Sequence, residues 1–193
     1  MKIIRAKHSG FCFGVKRAIQ KTLESIENNE NNSGNIFTCG QLIHNASVTD
    51  ELARKGVNII PSPDEAGIND TIIVRSHGEP KAFYKAAEKN GVKIVDATCP
   101  FVSKIHQLVS DAHNQGKNII IVGDKNHPEV IGINGWCDDT ACIFNSSKDA
   151  ETFNKDSAFL VSQTTLKKET LEEEDLKNIF EGSTLPDSAK LHD

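Results

Sequence analysis

The sequence lacks the features of several common protein classes. No apolar run approaches the roughly 20 residues of a membrane helix, and residues 1–6 are too short and polar for a signal peptide. A net charge of −5 leaves no general basic surface for nucleic acid or an anionic membrane. The five cysteines are odd in number and have no disulfide-framework spacing. We therefore expect a cytoplasmic protein without nucleic-acid or membrane partners, whose cysteines act as ligands or reactive groups rather than bridges.

Glycine-rich nucleotide loops of either familiar spacing are also absent, so a nicotinamide or ATP site is unsupported. What is present is a regular alternation of apolar runs and amphipathic stretches. Most apolar runs are continuous, which is typical of strands buried on both faces of a parallel sheet. The predicted strands are 2–6, 35–39, 57–60, 71–75, 92–95, 118–122, 141–144 and 158–161, and the predicted helices are 15–28, 46–55, 81–90, 101–115 and 167–180.

This order predicts an α/β protein with mostly parallel sheets and with sites at the carboxyl ends of the strands. The length suits one large domain or two small ones. The halves resemble each other, because an apolar strand leads into a polar, histidine-bearing loop at residues 76–80 and again at 124–129. We therefore expect two related α/β units, 1–97 and 98–193, each a small mostly parallel sheet flanked by helices.

Two cysteines stand in loops that follow apolar strands: Cys12 in Gly-Phe-Cys-Phe-Gly and Cys99 in Asp-Ala-Thr-Cys-Pro. Soft thiolates at strand ends can hold iron. Three histidines in similar loops, His44, His77 and His127, can donate hydrogen bonds to a diphosphate. The combination indicates redox chemistry on a phosphorylated substrate.

Six motifs in order resemble those of the 4-hydroxy-3-methylbut-2-enyl diphosphate reductases, the LytB or IspH family. The motifs are Gly10-Phe11-Cys12-Phe13-Gly14-Val15-Lys16-Arg17-Ala18, Leu42-Ile43-His44-Asn45, Ser76-His77-Gly78, Asp96-Ala97-Thr98-Cys99-Pro100, His127-Pro128-Glu129-Val130 and Ser162-Gln163-Thr164-Thr165-Leu166. The resemblance runs from residue 1 to about residue 170 and covers the first two of the family's three α/β units.

The resemblance implies an iron–sulfur reductase of the non-mevalonate isoprenoid pathway. Such an enzyme removes the allylic hydroxyl of 4-hydroxy-3-methylbut-2-enyl diphosphate and gives isopentenyl and dimethylallyl diphosphates, with a ferredoxin or flavodoxin as electron donor. It implies that Cys12 and Cys99 are two of the three cysteine ligands of a four-iron four-sulfur cluster. The family's third unit, which brings the third cysteine, has no counterpart in these 193 residues. We therefore expect a truncated form with two units and an incomplete cluster.

The resemblance also implies roles for the remaining motif residues. His44, His77 and His127 match the family's contacts to the diphosphate. Glu129 matches the proton source, and Thr164 matches a hydroxyl partner of Glu129 and the substrate. From the residues alone, a loop position two residues after His127 would let Glu129 act as a general acid whose pKa is raised by burial.

Two alternatives stay open at this point. One is a zinc-dependent hydrolase with His44, His77, His127 and Glu129 around the metal, although no two histidines have a short ligand spacing such as His-x-x-x-His. The other is a non-catalytic diphosphate-binding module that lacks the cluster.

The other cysteines and histidines are interpreted as structural or surface residues. Cys39 ends an apolar run and is predicted in the core. Cys137 and Cys142 flank a predicted turn and are interpreted as structural, with recruitment in place of the missing ligand as the alternative. The histidines predicted at the surface or on helix faces are His8, His106, His113 and His192.

Overall fold

The computed structural model describes residues 10–29, 34–150, 153 and 157–165. In the first half of the described chain, helices and parallel strands alternate. They are α1 (Phe13–Asn29), β1 (Ile36–Cys39), α2 (Ala46–Arg54), β2 (Val57–Ile60), a 3-10 turn (Pro63–Glu65), β3 (Thr71–Val74), α3 (Lys81–Lys89) and β4 (Lys93–Asp96). The predicted strand 2–6 lies outside the described residues.

The second half continues the alternation with shorter elements. They are α4 (Pro100–Asn114), β5 (Ile119–Val122), α5 (Pro128–Asn134), a 3-10 helix (Gly135–Cys137), β6 (Cys142–Phe144), α6 (Ser147–Ala150) and β7 (Phe159–Ser162). The predicted helix 167–180 lies outside the described residues.

The strands form two parallel sheets, with strand orders β2-β1-β3-β4 and β6-β5-β7. The expected α/β class with two small, helix-flanked parallel sheets is thus confirmed. Strands β3 and β5 are buried along their whole length, because each lies inside its sheet and is covered on both faces. A unit boundary at residue 97 stays a prediction.

Apolar side chains from successive strand positions pack on opposite faces of the sheets. Ile73 belongs to the core beneath α1 and α2, whereas Ile72 and Val74 pack with Phe83 and Ala87 of α3. Ile72 and Ile73 are both fully buried. Burial of both faces of β3 contributes roughly 1.5–3 kcal/mol for each large apolar side chain.

Helix ends follow the local sequence signals. The Asn45 side chain accepts a hydrogen bond from the Val48 N–H (3.1 Å) and caps α2, and Gly56 follows the helix in a left-handed conformation (φ 91°). At the end of β4, Arg17 Nη1 donates to the Thr98 carbonyl (2.9 Å) and Lys21 Nζ to the Asp96 carbonyl (2.7 Å). These contacts fasten α1 to the segment that leads into Cys99.

Within the described ranges, no helix combines the length and apolar character needed to cross a membrane.

Candidate active site

The structure brings together the three histidines that the sequence singled out. They lie in the loops after β1, β3 and β5, so all three reach the carboxyl edges of parallel strands. The ring centroids are 4.6 Å apart for His44 and His77, 5.4 Å for His77 and His127, and 5.7 Å for His44 and His127. One nitrogen of each ring lies within 4.8 Å of the others. We call this group the histidine triad.

The positively charged groups around the triad favour the binding of an anion. Burial above all, and then positive charge on His44, His127 and Arg75, lower the pKa of His77 to about 4. His77 is therefore neutral at pH 7 when no anion is bound. An anion between the rings would oppose these effects and favour protonation of His77.

One ring nitrogen of His127 is engaged in a hydrogen bond within the protein. Its Nδ1 accepts a hydrogen bond from the Glu129 N–H (3.1 Å) and so caps α5. Because a backbone N–H can only donate, the ring proton of neutral His127 resides on Nε2. His127 thus offers a donor through Nε2, as an anion requires, and not a free lone pair.

Glu129 lies in the first turn of α5, not in a loop as predicted. The residue is 2% exposed, and both carboxylate oxygens accept hydrogen bonds. The Thr164 N–H donates to Oε1 (2.6 Å) and the Thr164 hydroxyl to Oε2 (2.8 Å). Thr164 itself is exposed just after β7. The pair therefore links a buried carboxyl group to a hydroxyl at the surface.

The two cysteines of the sequence motifs flank the first turn of α1. The Cys12 carbonyl accepts from the Lys16 N–H (3.0 Å), and the Cys12 side chain is exposed. Cys99 is the N-cap residue of α4, and its Sγ lies so close to Gly14 that an added Cβ there would be 2.7 Å away. Helix N-termini carry partial positive charge, which suits anionic sulfur ligands. Two thiols at helix N-termini are donors of the type that iron–sulfur clusters use.

The other cysteines occupy ordinary structural positions. Cys39 is 8% exposed, which confirms its predicted place in the core, and burial raises the pKa of its thiol to about 11. Cys137 is buried, and its thiol donates to the Asn134 carbonyl (3.2 Å). Cys142 is exposed on β6.

Of the two predicted positions for His106, the surface or a helix face, the structure shows the helix face, and that face is buried. His106 is 4% exposed on the inner face of α4, and its ring stacks on Trp136 with centroids 5.3 Å apart. Neither residue carried a functional signal in the sequence. A polar residue that shares a helical face with Val102 and Val109 is the one clue to its burial.

Replacing His106 with Phe is expected to reduce the acid sensitivity of the fold. Burial lowers the pKa of His106 from its ordinary 6.5 to about 4, while Asp96 opposes the shift. His106 is therefore protonated below pH 6.5 in the unfolded chain but only below about pH 4 in the folded chain. The free energy of unfolding falls as the pH is lowered from 6.5 to 4. From pH 7 to pH 4.5, the free energy of unfolding should fall by about 2 kcal/mol less in His106→Phe than in the wild type.

Urea unfolding at the two pH values measures this effect. His113→Phe is the matched control, because His113 lies nearer the surface beside the exposed Asp138 carboxylate (3.2 Å). Equal acid sensitivity of wild type and His106→Phe would contradict the assignment.

A two-sheet parallel α/β protein with a histidine triad at its strand ends is the class that this fold and site define. A family model described as LytB protein matches residues 3–182, and the chain belongs to the LytB family. It is 48% identical over 169 residues to the 4-hydroxy-3-methylbut-2-enyl diphosphate reductase of Thermoanaerobacter sp. (strain X514), covering 86% of this chain and 58% of that protein. The corresponding protein of Clostridioides difficile (strain 630) is 45% identical over 172 residues, at 88% and 61% coverage.

Solved structures show the same likeness. A reductase structure from Plasmodium falciparum superposes with a TM-score of 0.82 at 30% identity, covering 91% of this chain and 56% of that one. A structure described as (E)-4-hydroxy-3-methyl-but-2-enyl diphosphate reductase, the terminal enzyme of the non-mevalonate pathway, gives 0.74 at 37% identity, with 92% and 61% covered. The chain thus spans about three fifths of the length of these relatives.

Proposed function

We propose that this chain supplies the diphosphate site, the proton source and two cluster ligands of a 4-hydroxy-3-methylbut-2-enyl diphosphate reductase. The observation that carries the proposal is the convergence of the His44, His77 and His127 rings, together with the two hydrogen bonds that join Thr164 to Glu129, two residues after His127. Family membership supports it, since the matched relatives bear that enzyme name.

In this proposal the histidine triad holds the diphosphate. Neutral His77 donates one ring N–H, and His127 donates through Nε2. An arriving diphosphate favours proton uptake by His77, and this strengthens the hydrogen bond to a charge-assisted one. The N-capped start of α2, directly after His44, adds backbone donors on the same side.

Glu129 acts as the proton source through Thr164. When Glu129 is protonated at Oε2, the direction of the hydrogen bond reverses and the Thr164 hydroxyl accepts it. Thr164 can then pass its own hydroxyl proton outward to the leaving oxygen of the substrate while it takes up the proton of Glu129. The Thr164 N–H on Oε1 keeps the carboxyl group oriented throughout.

Cys12 and Cys99 would hold a four-iron four-sulfur cluster together with a ligand from the part of the relatives that this chain does not match. When bound, such a cluster supplies single electrons and a Lewis-acidic iron. We assign the electron donor to the ferredoxin or flavodoxin class and the location to the cytoplasm.

A zinc hydrolase is less well supported by the same geometry. The triad nitrogens are close enough to attract a cation. However, a zinc ion needs an imidazole lone pair, and His127 uses its Nδ1 lone pair to cap α5. Both oxygens of Glu129 are also occupied by Thr164.

We expect inorganic diphosphate to bind the 193-residue chain and His77→Ala to weaken that binding about tenfold or more. Loss of one hydrogen bond to a charged group is worth roughly 1.5–3 kcal/mol. Titration calorimetry with sodium diphosphate measures the affinity, and His113→Ala is the control outside the triad. Equal affinities for wild type and His77→Ala would contradict the assigned site. Tight stoichiometric zinc with no diphosphate binding would favour the hydrolase instead.

A further inference from the structure

The loop that carries His77 is held in place by the other half of the chain. Trp136 Nε1 donates a hydrogen bond to the carbonyl of Glu79 (3.0 Å), two residues after His77. The Glu79 carboxylate is tied to Arg75 (2.6 Å) at the start of the same loop. Trp136 lies in the 3-10 helix that follows α5. The Trp136 indole therefore holds the backbone of the His77 loop, although Trp136 is not part of that loop.

A second contact comes from α4. The ring of buried His106 stacks on Trp136 at an interplanar angle of 20° and lies directly against Gly78. A Cβ on Gly78 would overlap the His106 ring at Cε1. Gly78 also has a left-handed φ of 75°, which favours glycine. The imidazole thus fills the space next to the residue that follows His77.

Small residues on the other side complete the contact. Gly132 of α5 is close to His106 and to Gly78, since a Cβ there would lie 3.5 Å from His106 Nε2 and 3.6 Å from the Gly78 carbonyl. Gly135 faces Pro80, and a Cβ on Gly135 would overlap the proline ring. Helix α5 is the helix that His127 caps. A continuous packed path therefore joins the His77 loop to His127.

We propose that His106 and Trp136 are positioning residues that set the distance and angle between the His77 and His127 rings. Neither belongs to the triad, and His106 Nε2 has no hydrogen-bond partner among the described residues. The value of that geometry for a diphosphate rests on the proposed function. The positioning itself can be measured without any ligand.

The competing explanation is that both residues simply fill the core. A core residue changes stability without changing the arrangement of the triad, whereas a positioning residue changes the arrangement in a chain that is still folded. Packed interiors transmit small displacements, because side chains interdigitate with few voids.

Trp136→Phe and His106→Ala are the informative variants. Phenylalanine keeps an aromatic face but lacks the N–H that reaches Glu79, and alanine opens the space beside Gly78. Val109→Ala is the matched control, because Val109 is fully buried on α4 in the core cluster against which Trp136 packs. Circular dichroism and urea unfolding establish that each variant is folded.

The first readout is the set of nuclear Overhauser effects between ring protons of His77 and His127 in the isotope-labelled chain. The second is the affinity for inorganic diphosphate. We expect both variants to weaken the ring-to-ring effects and to lower the affinity roughly tenfold, because small misplacements of binding groups are costly. Val109→Ala should lose stability but leave both readouts unchanged.

Unchanged ring-to-ring effects in folded Trp136→Phe and His106→Ala would overturn the proposal. So would failure of both variants to fold while Val109→Ala folds, because that result makes the pair core residues. If the wild-type chain shows the ring contacts but binds no diphosphate, the proposed function fails, and the comparison of ring contacts still decides the positioning role.

Discussion

Replacing Glu129 with Gln in a completed reductase is expected to lower turnover about a hundredfold, the usual scale for a lost general acid. The completed enzyme would join this chain to the unmatched part of the Thermoanaerobacter relative. Glutamine keeps an oxygen for the Thr164 N–H and places an amide donor against the Thr164 hydroxyl, so the local contacts survive. What it lacks is an acidic proton. Substrate affinity and iron content should therefore stay near those of the wild type.

Steady-state and single-turnover rates with a chemical reductant measure the loss. His77→Ala is the comparison, because it should weaken substrate binding first, through a contact present in ground state and transition state alike. Near-normal turnover of Glu129→Gln would show that the proton comes from another group.

Loss of most bound iron is the second large effect, expected when Cys12 or Cys99 is replaced by Ser in the same completed enzyme. A hydroxyl is a poor substitute for a soft thiolate, and metal sites depend on their full ligand set. Cys39→Ser is the matched control. It should keep its iron and cost on the order of 1 kcal/mol of stability, through a buried hydroxyl that lacks a partner.

A glycine pair tests the same assignment by packing alone. Gly14→Ala would place a methyl group 2.7 Å from Cys99 Sγ and should displace the sulfur, so iron content falls although both cysteines remain. At Gly67, the nearest atom to an added methyl group is 3.9 Å away, and Gly67→Ala should leave iron unchanged. Iron analysis after anaerobic reconstitution, with far-UV circular dichroism, reads out both pairs. Full iron content in Cys12→Ser would remove that residue from the site.

The sheets were predictable because their central strands are continuous apolar runs. Segments 71–75 and 118–122 could be predicted as buried parallel strands, and the structure places β3 and β5 there. Parallel order also predicts that His44 and His77 approach the carboxyl edge of one sheet, whereas their meeting with His127, which follows β5 of the other sheet, depends on how the two sheets are placed. Helix α5 could not be recognised, because seven residues that begin with proline and include a glycine show no helical period.

The finer geometry of the site could not be read from the sequence. Nothing local indicates that the Glu129 N–H fixes the ring proton of His127, or that Thr164 uses both its N–H and its hydroxyl on one carboxylate. The His127 contact is local but needs the particular turn that begins α5, and the Thr164 contacts depend on the relative placement of α5 and β7, which only the packed structure defines. The burial of His106 could not be predicted for a related reason, since it depends on Trp136 and Gly78.

The unequal exposure of the triad has a kinetic consequence. His44 is exposed, whereas His77 and His127 are partly buried. In the proposed diphosphate site, a ligand arriving from solvent is expected to meet His44 first and to exchange its water for His77 and His127 afterwards. Charge at His44 should therefore govern mainly the association rate and its dependence on salt, while the two partly buried histidines govern how long the ligand stays.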